Sequence, residues 1–368
     1  MNRIWIVAIV AVLFLGGVGA VLLLDRSAEN PELAVSVETQ TTNETPPLGE
    51  AALSASEIAT LSSVEKIDAY PMYVMHYVGD YRDETLVRQP SFHRGIASLP
   101  DWIGGNPFAC SLFAAGEVNE PLLARNFDWH YHPFLLLFTD PSDGYASMSL
   151  VDLTYFVSDD IIDRLDEVAL EDRVGLLATP HVPFDGMNER GLAIGMAALS
   201  PSELPHDPKK DTRSSIDVIR DVLDYAATVE EAIELLTRVN IFMDGPPIHY
   251  MVADAAGDSA IVELGGGETH IFRPERPWQT MTNFRLHEIP EPDRTEACWR
   301  FATIEDGLSS SEGRLAPMSA MDLLASVRQA SETQQMGTLW SAVYELRDRT
   351  VQIAVNVNYN QIYTFSLP

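Results

Sequence analysis

The residues best suited to chemistry stand in two neighbouring segments. One is Ala109-Cys110-Ser111-Leu112-Phe113; the other is Leu123-Ala124-Arg125-Asn126-Phe127-Asp128-Trp129. Apolar alternation in both, with Gly116, Asn119 and Pro121 between them, reads as a β-hairpin. A hairpin sets the start of its first strand beside the end of its second, so Cys110 falls near a cation, Arg125, and a carboxylate, Asp128. A thiol attacks as the thiolate, and positive charge nearby stabilises that form. The chemistry on offer is nucleophilic attack by sulfur on a carbonyl carbon.

The competing reading for Cys110 is a disulfide with Cys298, because the chain has only these two cysteines. A cysteine set on a strand among these neighbours fits a nucleophile better, and Cys298 reads as a small buried apolar side chain. His130-Tyr131-His132 would place two imidazoles on one strand face. No cysteine or carboxylate accompanies them at ligand spacing, so neither a metal nor another cofactor is expected. A formal charge of -30 argues against nucleic acid and anionic lipid surfaces as partners. The 368 residues, 46% of them apolar, are enough for one large domain or two small ones.

The elements that must position Cys110 are read from hydrophobic period. Strands are expected at 70–78, 145–156, 192–199, 248–253, 260–264, 269–272, 339–345, 351–357 and 362–365. The period changes to helical over 215–238. There Ile216, Ile219, Val222, Leu223 and Ala226 share a face, and Thr228 with Glu231 forms a capping-box signature for a second helix. A further helix is expected at 318–330. Residues 134–138 are apolar throughout and read as core, with the lining of an acyl pocket as the alternative. Strands, paired helices and more strands give an α+β fold of two antiparallel sheets with helices outside.

Upstream, residues 4–24 form an uncharged apolar run between Arg3 and Asp25-Arg26, long enough to span a hydrocarbon core. Gly17-Val18-Gly19-Ala20 offers a signal-cleavage site, but Val21-Leu22-Leu23-Leu24 continues the run past it. Residues 1–26 are expected to be a transmembrane anchor or signal segment in the membrane. The rest would be exported, either tethered or secreted. Residues 27–62, rich in Ser, Thr, Glu, Pro and Ala, read as disordered linker. Residues 63–109 form a segment ahead of the cysteine, a propeptide or a chain retained in the sheet, irregular from 82 to 106.

These residues together resemble the N-terminal-nucleophile (Ntn) amidases of the choloylglycine hydrolase and penicillin V acylase type. They also resemble the related acyl-coenzyme A:6-aminopenicillanic acid acyltransferases. Cys110 is followed by Arg125-Asn126-Phe127-Asp128-Trp129, with Ala124 where the family usually has glycine. Asn188-Glu189-Arg190-Gly191-Leu192, Thr282-Asn283, Cys298-Trp299-Arg300-Phe301 and residues 338–344 follow in the family's order. The resemblance covers 110–368 and implies a catalytic domain of the four-layer αββα Ntn-hydrolase sandwich. It implies that Cys110 begins the active chain once the Ala109–Cys110 bond is cut. The free α-amine would then be the base, since its pKa of about 8 lies close to the thiol's.

The resemblance implies further roles. Asp128 would orient the amine or thiol, and Arg125 would stabilise the thiolate. Asn283 would give an N–H to the oxyanion, and Arg300 would balance Asp128 or the thiolate. The family's second oxyanion asparagine aligns with Ala198, which keeps only a backbone N–H. The expected function is a cysteine amidohydrolase on a small acyl-amide substrate, acting through a thioester, with an acyltransferase of the same fold as the near alternative. A catalytically silent envelope binding protein is the rival from another class. A papain-like peptidase pairing Cys110 with His249 or His287 is the rival mechanism. Oligomeric state, a homo-oligomer included, stays open.

Overall fold

The computed structural model describes residues 53–82, 109–116, 120–329 and 336–368. The apolar run at 4–24 lies outside the described residues, as do 83–106 of the irregular segment. Among the described residues no helix is long and apolar enough to cross a membrane.

Two β-sheets dominate. The first has nine strands: β1 (Glu65–Asp68), β2 (Met72–His76), β5 (Phe134–Thr139), β6 (Ser147–Asp152), β7 (Asp185–Asn188), β8 (Ala193–Ala198), β11 (Ile248–Ala253), β12 (Ser259–Gly265) and β13 (Glu268–Phe272), in that spatial order. The second has six, in the order β14 (Trp278–Met281), β3 (Ala109–Ala115), β4 (Leu122–His130), β15 (Met336–Glu345), β16 (Thr350–Val355) and β17 (Ile362–Ser366). Pairing is antiparallel in both except where β2 runs parallel to β5. Short strands β9 (Thr212–Ser214) and β10 (Asn240–Phe242) form a separate parallel pair.

Period-two alternation explains the layers. On β3, Cys110, Leu112 and Ala114 join the core between the sheets, whereas Phe113 and Ala115 join an outer cluster. That outer cluster is closed by Ile304 and Leu308 of one helix (Trp299–Ser310) and by Ala320, Met321 and Leu324 of another (Pro317–Ser326). The outer face of the nine-stranded sheet is covered by helices Asp217–Tyr225 and Val229–Thr237. The second of these is capped by Thr228, whose hydroxyl accepts from the Glu231 amide. The sheets lie close: a Cβ on Gly195 of β8 would meet Leu112 of β3 at 2.7 Å. The fold is the expected α+β sandwich of sheets with helices outside.

One expectation needs correction. The linker anticipated as far as Ser62 ends earlier, because Ala55–Ser62 is a helix with a complete capping box from Ser54 and Glu57. Its Leu61 packs with Tyr73 and Met75 of β2 and with Leu135 and Leu137 of β5. The stretch at 134–138 is an interior strand of the core, as read, and none of its residues lines the cavity beside Cys110.

Candidate active site

Hairpin register settles what each residue can reach. Cys110 pairs with Phe127, Leu112 with Arg125 and Ala109 with Asp128. Arg125 therefore shares the inter-sheet face with the thiol, while Asp128 lies on the other face, that of Asn126, which donates to the Leu324 carbonyl of the outer helix. The site straddles its strand.

On the inner face Cys110 is 2% exposed. Arg125 Nη2 points to its Sγ at 3.9 Å. The guanidinium is wholly buried, donating from Nη1 to Asp185 Oδ2 at 2.5 Å and to the Phe184 carbonyl at 2.8 Å. It also lies over the rings of Phe127 and Trp340. Asp185 accepts further from Trp340 Nε1 at 3.2 Å and from the Tyr344 hydroxyl. Burial pushes the Cys110 thiol up from its ordinary value, with the Arg125 charge opposing that shift.

At the strand edge Asn283 takes over from the ladder. Pairing of β14 with β3 ends at Met281 and Leu112. Two residues on, Asn283 Oδ1 accepts the Cys110 N–H at 2.6 Å, while Asn283 Nδ2 donates to the Ala198 carbonyl at 2.9 Å. These partners fix which way the amide faces: its oxygen meets the cysteine nitrogen. Arg300 donates from Nη2 to the same Oδ1 at 2.9 Å, and from Nη1 to Ser111 Oγ and the Cys110 carbonyl.

On the outer face Asp128 is fully enclosed. Its Oδ1 accepts from Thr338 Oγ1 at 2.5 Å, and its Oδ2 is a buried atom without a hydrogen-bond partner. Burial pushes its carboxyl up to about 7, against the Thr338 hydrogen bond and the charges of Arg300 and Arg125.

An apolar cavity opens beside the thiol. Phe127, Trp129, Tyr155, Phe184, Met196 and Ile248 line it together with Cys110 and Arg125. Among the described residues no cluster of three His, Cys, Asp or Glu could hold a metal. Both cysteines are free thiols. His132 pairs with Asp152 instead of facing the cavity. His249 gives both ring nitrogens to Glu263 and the Thr282 carbonyl, and His287 gives Nδ1 to Glu263, so neither pairs with Cys110.

Cys110, Arg125, Asp128, Asn283 and Arg300 thus come to one place from one hairpin and from a region more than 150 residues further along the chain. Sequence reading missed Asp185, Ser111, Thr338, Trp340 and Tyr344. Ser111 stood beside the cysteine and Thr338, Trp340 and Tyr344 within residues 338–344, but no local signal marked them or Asp185 as partners of the site.

The sequence model of the acyl-coenzyme A:6-aminopenicillanic acid acyl-transferase family matches residues 181–360. Penicillin V acylase of Pectobacterium atrosepticum is 28% identical over 194 residues, 48% of this chain and 49% of that protein. An uncharacterised protein of Paramecium bursaria Chlorella virus 1 is 26% identical over 196 residues, 50% of this chain and 67% of that one. The chain thus matches about half the length of the acylase. A mutant conjugated bile acid hydrolase from Clostridium perfringens shares the fold, with a TM-score of 0.52 at 15% identity over 70% of this chain and 92% of that one. The chain is thus similar in sequence to the acyl-coenzyme A:6-aminopenicillanic acid acyl-transferase family and to a penicillin V acylase, and it shares the fold of a conjugated bile acid hydrolase.

Proposed function

We propose that the protein is a cysteine amidohydrolase that releases an apolar acyl group from an amine through a thioester on Cys110. One observation carries this reading: the Cys110 nitrogen is held by a side chain, Asn283, instead of by a neighbouring strand. A nucleophile whose own amine becomes the base needs its nitrogen held after the preceding bond has gone.

Maturation comes first. The Cys110 thiol attacks the Ala109 carbonyl, the C–N bond breaks to leave an ester on sulfur, and water releases the upstream piece. Asp128 stands opposite Ala109, with its unpartnered Oδ2 available to take a proton and afterwards to accept from the new ammonium. In turnover the sulfur attacks the substrate carbonyl and its proton passes to the α-amine. The C–N bond then breaks as the ammonium returns a proton to the leaving amine, and the acyl group stays on sulfur. Water adds next, giving a proton to the amine. The C–S bond breaks, the acid departs and the thiol is restored. The second hydrogen of Asn283 Nδ2 and a backbone N–H serve the oxyanion, worth about 3 kcal/mol per donor in comparable sites. The wall of Phe127, Trp129, Tyr155 and Phe184 supports an apolar acyl group.

The family's acyltransferase description supports a second reading in which an amine replaces water. Trapping with hydroxylamine separates the two by the ratio of hydroxamate to acid. The apolar run at 4–24 supports an exported, membrane-tethered enzyme, tested by extraction of the full chain from membranes with carbonate against detergent.

N-terminal sequencing and intact mass test the main reading. A fragment beginning at Cys110, absent from Cys110→Ala, is expected. It should co-elute with the upstream piece, whose Leu61, Tyr73 and Met75 are buried in the common core. An uncut chain with an inert Cys110 would overturn the proposal.

A further inference from the structure

His249 and Glu263 form a buried pair that the mechanism does not use. His249 of β11 and Glu263 of β12 stand on adjacent strands next to the Tyr250–Val262 pair, and both are 0% exposed. His249 Nδ1 meets Glu263 Oε2 at 2.9 Å, and Nε2 meets the Thr282 carbonyl at 2.8 Å. The Thr282 carbonyl can only accept, so Nε2 is the donor in that bond. Glu263 then accepts from the Leu286 amide, the His287 amide and His287 Nδ1 at 3.1, 3.1 and 2.7 Å. Burial works against the Glu263 carboxylate, yet His249 and His287 together hold it down at about 2.

The pair thus grips one short segment at both ends, through Thr282 on one side and through Leu286 and His287 on the other. Asn283 lies between the grips. Thr282 is held only by its backbone, since its buried Oγ1 has no hydrogen-bond partner. The segment seats so closely that a Cβ on Gly265 would meet Arg285 Nη1 at 2.6 Å and His287 Cε1 at 2.7 Å. A buried polar pair of this kind is a poor source of stability, because desolvation offsets the attraction; what it supplies here is a set of directed hydrogen bonds on one segment.

We infer that His249, doubly hydrogen-bonded between Glu263 and Thr282, is a positioning residue that aims Asn283 at the Cys110 nitrogen. The inference rests on Cys110 being the nucleophile. Its test is His249→Gln and Glu263→Gln in the full, processed chain, with hexanoyl p-nitroanilide as substrate and the side-chain amide signal of Asn283 in 15N spectra. A displaced Asn283 should lower kcat about ten- to a hundredfold. KM should stay within about twofold because the acyl wall is untouched, and the single Asn283 signal should shift or split. Two results overturn the inference: an unchanged Asn283 signal in both variants, or unchanged kcat per folded molecule. If the signal moves while wild type and Cys110→Ala are equally inert, the amidase reading falls and the positioning role stands.

Discussion

Asp185 and Asp128 are both buried carboxylates within the site, and the molecule treats them differently. Asp185, beneath Arg125, accepts from a guanidinium, an indole N–H and a phenol. Asp128, across the strand, accepts from one hydroxyl and keeps a bare oxygen. Burial raises both carboxyls, but only Asp185 has donors arrayed to offset it at every side. A saturated buried acid is a frame for its cation; a half-saturated one is free to exchange a proton. Under the proposed function, the contrast gives Asp185 a framing part and Asp128 the proton transfer.

Asp185→Ala should give the largest effect. It strands the wholly buried Arg125 without its counter-charge, and breaking such a pair costs about 3–5 kcal/mol. Urea denaturation measures it. A variant as stable as wild type would erase the distinction between the two acids.

Asp128→Asn should do the reverse. Self-cleavage should slow about a hundredfold or more, as expected for loss of a positioned base, while the fold survives. The pH dependence follows from the same carboxyl. Its proton leaves near 7 in the native protein but near 3.8 in a free side chain. The native state therefore holds the extra proton between those values, and its stability falls as pH rises from about 4 to about 7. Asp128→Asn should flatten that decline in thermal melts. Self-cleavage, needing the carboxylate, should speed up as pH rises through about 7 and level off above it. A wild-type rate independent of pH between 5 and 8 would remove Asp128 from the proton path.

What could be read from sequence divides along a related line. The hairpin, the Thr228-capped helix and the strand at Ile248–Ala253 were legible because alternation and capping are local signals. The helix Ala55–Ser62 was signalled by Ser54 and Glu57 but masked by a polar composition resembling linker. Strand β14, four residues long behind Pro277, is too short to show a period, and it forms because β3 offers it an edge. Cys110, Arg125, Asp128, Asn283 and Arg300 were picked out as candidates through ordered motifs, and the fold brings them together. Their partners were not, because Asp185 meets Arg125 from 60 residues away and Thr338 meets Asp128 from 210. No spacing rule spans such distances; the sheets bring those residues together.

Trp340→Phe is the finest test of the contrast. Trp340 stacks on Phe127 with ring centroids 4.2 Å apart and sends Nε1 to Asp185. Phenylalanine keeps an aromatic ring in that layer and deletes one of the donors, while Arg125 and Tyr344 remain on the carboxylate. If Asp185 is oversupplied, the loss should be about 1 kcal/mol, the net worth of one hydrogen bond, plus a smaller packing term from the lost ring. The alkylation rate of Cys110 should stay within about twofold, since Arg125 keeps the ion pair that aims it at the thiol. A loss close to that of Asp185→Ala would mean that the indole N–H, and not the guanidinium, holds the carboxylate in place. Arg125 would then owe its position to the aromatic rings it lies over, and the division between framing and reacting acid would have to be redrawn around Trp340.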